Sequence, residues 1–162
     1  MFSSPLLRLA EVVVADARAA KLRIATAESC TGGMIGTLLT EIPGSSAVFD
    51  RGFIVYTNRS KQDLLNVPGD LIADMGAVSE AVARMMAEGA VENSNAHMAV
   101  AVTGVAGPGG GTAMKPVGLV HIAAARENRS ILHEAHRFGD IGRTEVRLKT
   151  VEAALELLAR LL

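Results

Sequence analysis

Between Leu6 and Ala17 the apolar residues recur every three or four positions, which predicts a helix. Leu22–Thr26 is a short apolar run that predicts a strand. Thr31–Glu41 returns to helical spacing until Pro43-Gly44 stops it. Ala47–Tyr56 reads as a strand with an awkward polar patch at Asp50-Arg51-Gly52. Asn58–Asn66 predicts a short helix, capped by Asn58 and closed ahead of Pro68, and Leu71–Met75 a further helical turn. Ser79 caps the next helix, EAVARMMAEGAVENS, and HMAVAVTG is apolar almost throughout, the pattern of a buried strand. A glycine-rich loop, GVAGPGGGTAMKP, leads to VGLVHIAAAR and SILHEAHRF, two strands joined by ENR as a hairpin. From about Arg143 a long helix places Val151, Ala154, Leu155, Leu158 and Leu162 on one face.

Strands alternate with helices and the hairpin comes late. The expected fold class is therefore α/β: a single three-layer α/β/α domain over residues 1–162, with a mixed, mostly parallel sheet. A composition 49% hydrophobic but only 3% aromatic suits close-packed layers and argues against disorder. The net charge of −1, the lack of a basic stripe and the scarcity of aromatic platforms make nucleic acid an unexpected partner. No apolar run reaches the ~20 residues of a membrane span. Glu11 and Asp16 fall at helical spacing in the amino-terminal stretch, which reads as an amphipathic helix and not a cleaved leader. The single cysteine excludes an internal disulfide and fits a reducing, cytoplasmic setting. The apolar terminal helices would either cover the sheet or serve subunit contacts in a homo-oligomer.

Two glycine-bearing loops follow apolar strands. If those strands are parallel neighbours, the loops border one crevice at the strands' carboxyl ends. In Thr26–Gly33, TAESCTGG, the helix N–H groups near Thr31 and Gly32 would be free to hold a phosphate or an oxyanion, and Gly32 and Gly33 would permit close approach. The same stretch also reads as a plain strand-to-helix turn capped by Ser29 or Thr31. TGVAGPGGG matches neither a P-loop nor a G-x-G-x-x-G fingerprint, but its length and its place after a buried strand suit a ligand loop. Ser29 and Cys30 are adjacent, so only one faces the crevice. Cysteine is the sharper nucleophile, yet a free cysteine is commonly a small buried hydrophobe, and the pattern does not choose. A serine without a nearby histidine needs another base, usually lysine. Bringing a lysine pKa from ~10.4 to ~7.5 costs about 4 kcal/mol. Lys61 in YTNRSKQDLL lies in a first helical turn, with Arg59 adding repulsion if close, but burial must supply most of that sum. Tyr56, the only tyrosine, ends the preceding strand. His97, His121, His133 and His136 show no metal-ligand spacing, and His133 and His136 point to opposite faces of a strand, so no metal site is expected.

TAESCTGG, GSSAVFDRGFIVYTNRSK, GAVSEAVA, TGVAGPGGG…KPVG and GDIGRTEVR occur in that order and resemble the carboxy-terminal domain of the CinA (competence/damage-inducible protein) family. That domain is similar to nicotinamide-nucleotide amidases. The resemblance runs from about Leu6 to Leu162. It implies hydrolysis of nicotinamide mononucleotide to nicotinate mononucleotide and ammonia by a serine amidohydrolase with no metal or cofactor. By the same resemblance Ser29 matches the nucleophile, Lys61 and Tyr56 the base and its partner, and Thr103 and Arg143 substrate positions. Cys30, Thr31, Gly32 and Gly33, with Gly104, Gly107 and Gly109, would complete the wall around a small nucleotide, with Lys115 a further candidate for its phosphate. Larger CinA proteins carry an additional amino-terminal domain that hydrolyses ADP-ribose, and that activity is not carried over. Three other readings stay open: a nucleotide-binding module without catalysis, a Cys30-dependent hydrolase on the same scaffold, and an interaction domain working through its terminal helices.

Overall fold

The computed structural model describes residues 1–162. Its elements run α1 (Ser4–Ala19), β1 (Ile24–Glu28), α2 (Met34–Thr40), β2 (Phe49–Ile54), α3 (Asn58–Leu65), α4 (Gly69–Met75), α5 (Glu80–Glu92), β3 (Met98–Gly104), β4 (Leu119–Arg126), β5 (Leu132–Arg137) and α6 (Arg143–Ala159). The strands form one sheet of order β2-β1-β3-β4-β5. β1 pairs parallel with both β2 and β3, whereas β3–β4 and β4–β5 are antiparallel. The sheet is mixed as expected: all strands but β4 share one direction, though the pairings divide evenly.

Side-chain alternation divides the sheet into two unlike faces. Ile24, Met98, Val100, Val102, Val120 and Ile122 face α1, α2 and α6. Ala25, Ala27, Ala99, Ala101, Ala123 and Ala125 face α3, α4 and α5. Bulk on one side and methyl groups on the other let α5 lie close to the sheet. The approach extends to α3: a Cβ on Gly89 of α5 would overlap the Leu65 carbonyl oxygen. The two terminal helices, α1 and α6, cover the bulky face.

Three boundaries differ from the sequence reading, each for a local reason. α2 begins at Met34, not Thr31, because Gly32 and Gly33 take φ of +58° and +102° and turn the chain before the helix can start. The strand expected from Ala47 begins at Phe49, since Gly44 (φ +81°) and a 3-10 turn over Ser45–Ala47 precede it. Its polar Asp50-Arg51-Gly52 is tolerated because β2 is an edge strand. Thr57, not Asn58, caps α3. No helix is long and apolar enough to cross a membrane.

β1 and β3 are parallel neighbours, so the condition for one shared crevice is met. The chain leaves β1 through α2 on one face and enters β3 from α5 on the other. The gap beyond Glu28 and Gly104 is therefore the topological switch point of the sheet, where α/β folds collect ligands.

Candidate active site

The turn after β1 is held from three directions. Ser29 N donates to Val102 O of β3 at 3.2 Å, and Gly32 N to Ser29 O at 3.1 Å. The Glu28 carboxylate folds back onto the start of α2: Oε1 accepts from Thr31 Oγ1 at 2.6 Å and Ile35 N at 2.9 Å, and Oε2 from Gly36 N at 3.0 Å and Thr26 Oγ1 at 3.3 Å. From α6, Arg147 donates through Nε to Cys30 O at 3.0 Å and through Nη2 to Thr31 O at 3.2 Å. Glu28 thus neutralises the anion-attracting end of α2 from within, and the first N–H groups of that helix are not open to a ligand. The N–H groups of Cys30, Thr31 and Gly33 donate to no other residue, and of the three only Cys30 lines the cavity that also borders Ser29. Across a trans peptide the Thr31 N–H points opposite to Cys30 C=O, and so away from Arg147.

Lys61 rises from α3 into the same spot. It is 1% exposed, and Nζ lies 3.1 Å from Ser29 Oγ, 2.9 Å from Val55 O and 3.5 Å from Tyr56 O. No carboxylate bonds to it. Carbonyls only accept, so of its three partners Ser29 alone can donate a proton to a neutral Nζ. Burial pushes the Lys61 ammonium below the usual lysine range, while Cys30 nearby acts in the opposite direction. Arg59, expected to assist by repulsion, instead points to solvent and pairs with Asp63 at 2.8 Å. The Cys30 thiol is buried and pushed up to about 12, chiefly by desolvation.

Ser29, Cys30, Tyr56, Lys61, Thr103, Gly104, Gly107, Gly109 and Arg143 line one cavity of about 300 Å³. Residues from four distant segments therefore meet as expected. Their hydrogen bonds refine the expectation. Tyr56 meets Lys61 through its carbonyl, while its phenol stands at the mouth, 60% exposed, and accepts from Arg143 Nη2 at 3.0 Å. Arg143 Nη1 donates to Gly107 O at 2.8 Å, strapping the glycine loop. Thr103 Oγ1 donates to Ala77 O at 2.8 Å. Lys115 Nζ donates to Met75 O at 2.6 Å, which commits it to the end of α4 and not to the cavity.

Thr31, Gly32 and Gly33 are not on the cavity wall. The Thr31 side chain is buried against Glu28, and the two glycines stand behind the turn, where a Cβ would meet Arg147 at 3.3 Å and Ile54 at 3.0 Å respectively. They shape the turn and clear no path for a ligand. Sequence reasoning missed Glu28, Arg147 and Asn58, the last of which lines the cavity. Arg147 follows Arg143 by one helical turn within the same quoted motif, and Glu28 is a carboxylate at the end of an otherwise apolar strand. Both spacings were visible as unusual polar placements.

Histidines lie elsewhere. His121 Nδ1 and His133 Nε2 are 3.0 Å apart, and Glu80 Oε1 is 3.5 Å from His133 Nδ1. His136 bonds Glu134 at 2.8 Å. No group of three or more His, Cys, Asp or Glu side chains is arranged to hold a metal ion.

The chain and its fold have known relatives. A CinA-like protein from Synechococcus sp. (strain RCC307) is 53% identical over 151 residues, 93% of this chain but 36% of that protein. The chain thus spans about a third of the length of the curated relatives it matches. The crystal structure of the competence/damage inducible protein CihA from Agrobacterium tumefaciens superposes with a TM-score of 0.98 at 53% identity, covering 99% of this chain and 98% of that one. A competence-damaged protein (CinA) superfamily structure from Escherichia coli gives 0.92 at 30% identity, covering 100% and 94%. The model of the CinA C-terminal domain matches residues 6–162, and the chain belongs to that family.

Proposed function

We propose that this domain hydrolyses the carboxamide of nicotinamide mononucleotide through a serine acyl-enzyme. The observation that carries the reading is the buried Lys61 amine, 3.1 Å from Ser29 Oγ with no carboxylate to hold it charged. Ser29 Oγ attacks the carboxamide carbon as its proton passes to Lys61 Nζ, giving a tetrahedral oxyanion and an ammonium. The N–H of Cys30, which lines the cavity and donates to no other residue, is the donor left over to receive that oxyanion. The oxyanion collapses with cleavage of the C–N bond, and Lys61 returns the proton to the departing nitrogen, which leaves as ammonia. Water, activated by the same amine, then cleaves the ester and regenerates Ser29. Lys61 is the direct base, and the Tyr56 phenol belongs to the mouth of the cavity.

The cavity favours an anionic ligand. With Lys61 neutral, Arg143 is the cation that lines it, and no acidic side chain does. A cationic pyridinium ring is therefore compensated by its own phosphate, with Arg143 and the Gly107–Gly110 backbone as the phosphate's donors. Cys30 does not suit the nucleophile's role: its thiol is buried, and a pKa of about 12 keeps it protonated at neutral pH.

Ammonia release from nicotinamide mononucleotide tests the reading. Ser29→Ala should abolish release, Cys30→Ala should preserve most of it, and a chelator should leave the rate unchanged. Protein that binds the nucleotide without releasing ammonia would instead be a binding module. Loss on Cys30→Ala with retention on Ser29→Ala would move the chemistry to the thiol.

A further inference from the structure

Asn58 is the first residue of α3, yet the helix does not need it. Thr57 Oγ1 accepts from Ser60 N at 3.1 Å, and Ser60 Oγ accepts from Thr57 N at 3.1 Å, so the capping box closes without any Asn58 atom. The side-chain contact to Asn58, from Gln62 Nε2 at 3.4 Å, ends on its backbone carbonyl and leaves its amide uncommitted. Asparagine is a poorer helix former than many alternatives at that position. Asn58 and Lys61 lie three apart on one helical face, and both line the cavity. Lys61 is at the buried floor; Asn58 is exposed at the rim, beside Tyr56 and the Arg143 guanidinium that bonds it.

Floor and rim therefore differ in chemistry. The scissile carbon must sit at Ser29 Oγ, which Lys61 reaches only at the end of its four-carbon stem. The short Asn58 side chain, starting from the rim, faces the other end of a bound nucleotide. A neutral amide offers donors for phosphate oxygens and both donor and acceptor for sugar hydroxyls. We propose that Asn58 is a recognition residue for the sugar–phosphate end of the substrate, taking ribose 5-phosphate esters as its ligand class. The assignment rests on the nucleotide reading of the cavity given above.

Titration calorimetry with ribose 5-phosphate tests it without requiring turnover. Asn58→Ala should weaken binding about tenfold, the loss of one hydrogen bond to a charged group. Asn58→Asp should weaken it further by setting a carboxylate against the phosphate. The KM for nicotinamide mononucleotide should rise by the same factors, with a smaller effect on kcat. Alanine at an exposed first helical position keeps the helix, and an unchanged Tm verifies that. An unchanged Kd for ribose 5-phosphate in both variants overturns the assignment, as does wild-type protein that takes up none at millimolar concentration. Wild-type protein that binds ribose 5-phosphate but releases no ammonia from the nucleotide removes the amidase reading alone, and the Asn58 comparison is still read from binding.

Discussion

Lys61 is unfavourable for the fold and, in the proposed reaction, the base of the site. Burying an amine to 1% exposure without a carboxylate disfavours its charged form and lowers its pKa, against the opposing effect of Cys30. The rate follows from the sign. Protonated Lys61 cannot accept the Ser29 proton, so kcat/KM should rise with pH through the Lys61 pKa, with its midpoint below the ordinary lysine value of 10.5. A pH profile flat up to that value would remove Lys61 as the base. Lys61→Met should lose nearly all turnover while unfolding at the same or a higher temperature near neutral pH, because an apolar chain of similar length removes the cost of a buried amine. Lys61→Arg should lose both, since a guanidinium cannot be buried as a neutral base. The apposition of Ser29 and Lys61 was legible in the sequence only through the family motifs. Spacing alone marked Lys61 as an early helical residue; what pairs it with Ser29 is the seating of α3 against α4 and α5, which brings Nζ to the turn after β1 and which no local pattern reports. Local pattern also assigned Arg59 a role that its ion pair with Asp63 rules out.

Among the elements, the periodicities held wherever the core decides the outcome and slipped where glycine does. The alternation within β1, β3 and β4 makes both faces of the sheet readable, because all their residues but Gly104, His121 and Arg126 are buried. The start of α2 was not readable, because consecutive left-handed glycines resemble a helix N-terminus in composition but not in φ. The alanine face makes a sharp prediction about α5. Gly89→Ala places a methyl group on the Leu65 carbonyl and should cost about 1–3 kcal/mol by denaturant unfolding. Gly109→Ala, where nothing lies within 4 Å of the new methyl, should shift stability by no more than about 0.5 kcal/mol. Equal effects would mean that α5 packs less tightly than its neighbours indicate. The β4–β5 hairpin adds a pH dependence. His121 and His133 have pKa values lowered from 6.5, foremost by burial, with Lys115 and Arg137 opposing the charge on His121 and Arg84 and His136 that on His133; Glu80 favours both, and Glu134 also favours His133. A base with a lowered folded pKa contributes full stability above its unfolded value. Tm should therefore hold above pH ~6.5 and fall as pH drops from there toward the folded values, as the unfolded chain takes up protons that the folded pair resists. His133→Gln should shrink that fall; a Tm profile identical to the wild type would place the acid sensitivity elsewhere.

At the scale of the whole molecule, the cavity depends on α6 closing over ends supplied by the rest of the chain. Ser29, Lys61, Thr103 and Arg143 belong to four segments, and α6 alone ties all three of the others by side chain: Arg143 holds Gly107 and Tyr56, and Arg147 holds the carbonyls of Cys30 and Thr31. The two arginines are one helical turn apart, and the proposed reaction gives them opposite ends. Arg143 borders the cavity, where the proposal has it bind substrate. Arg147 sits behind the Ser29 turn, fixing two carbonyls so that the N–H of Thr31 is turned the other way. Arg147→Met keeps the stem's bulk and removes the fork, so the turn that carries the Cys30 N–H loses its orientation. Losing an oxyanion donor costs a factor of about 10²–10³ in kcat, and Arg147→Met should approach the lower figure while changing KM little. Arg147→Lys should not rescue it, because one ammonium on a flexible stem does not reproduce the fork that spans both carbonyls at 3.0 and 3.2 Å. Arg143→Met should show the opposite split, with KM raised more than kcat is lowered. If Arg147→Met instead turns over at the wild-type rate, the Glu28 carboxylate and the Ser29–Val102 bond orient the turn unaided, and the role of α6 contracts to the mouth of the cavity.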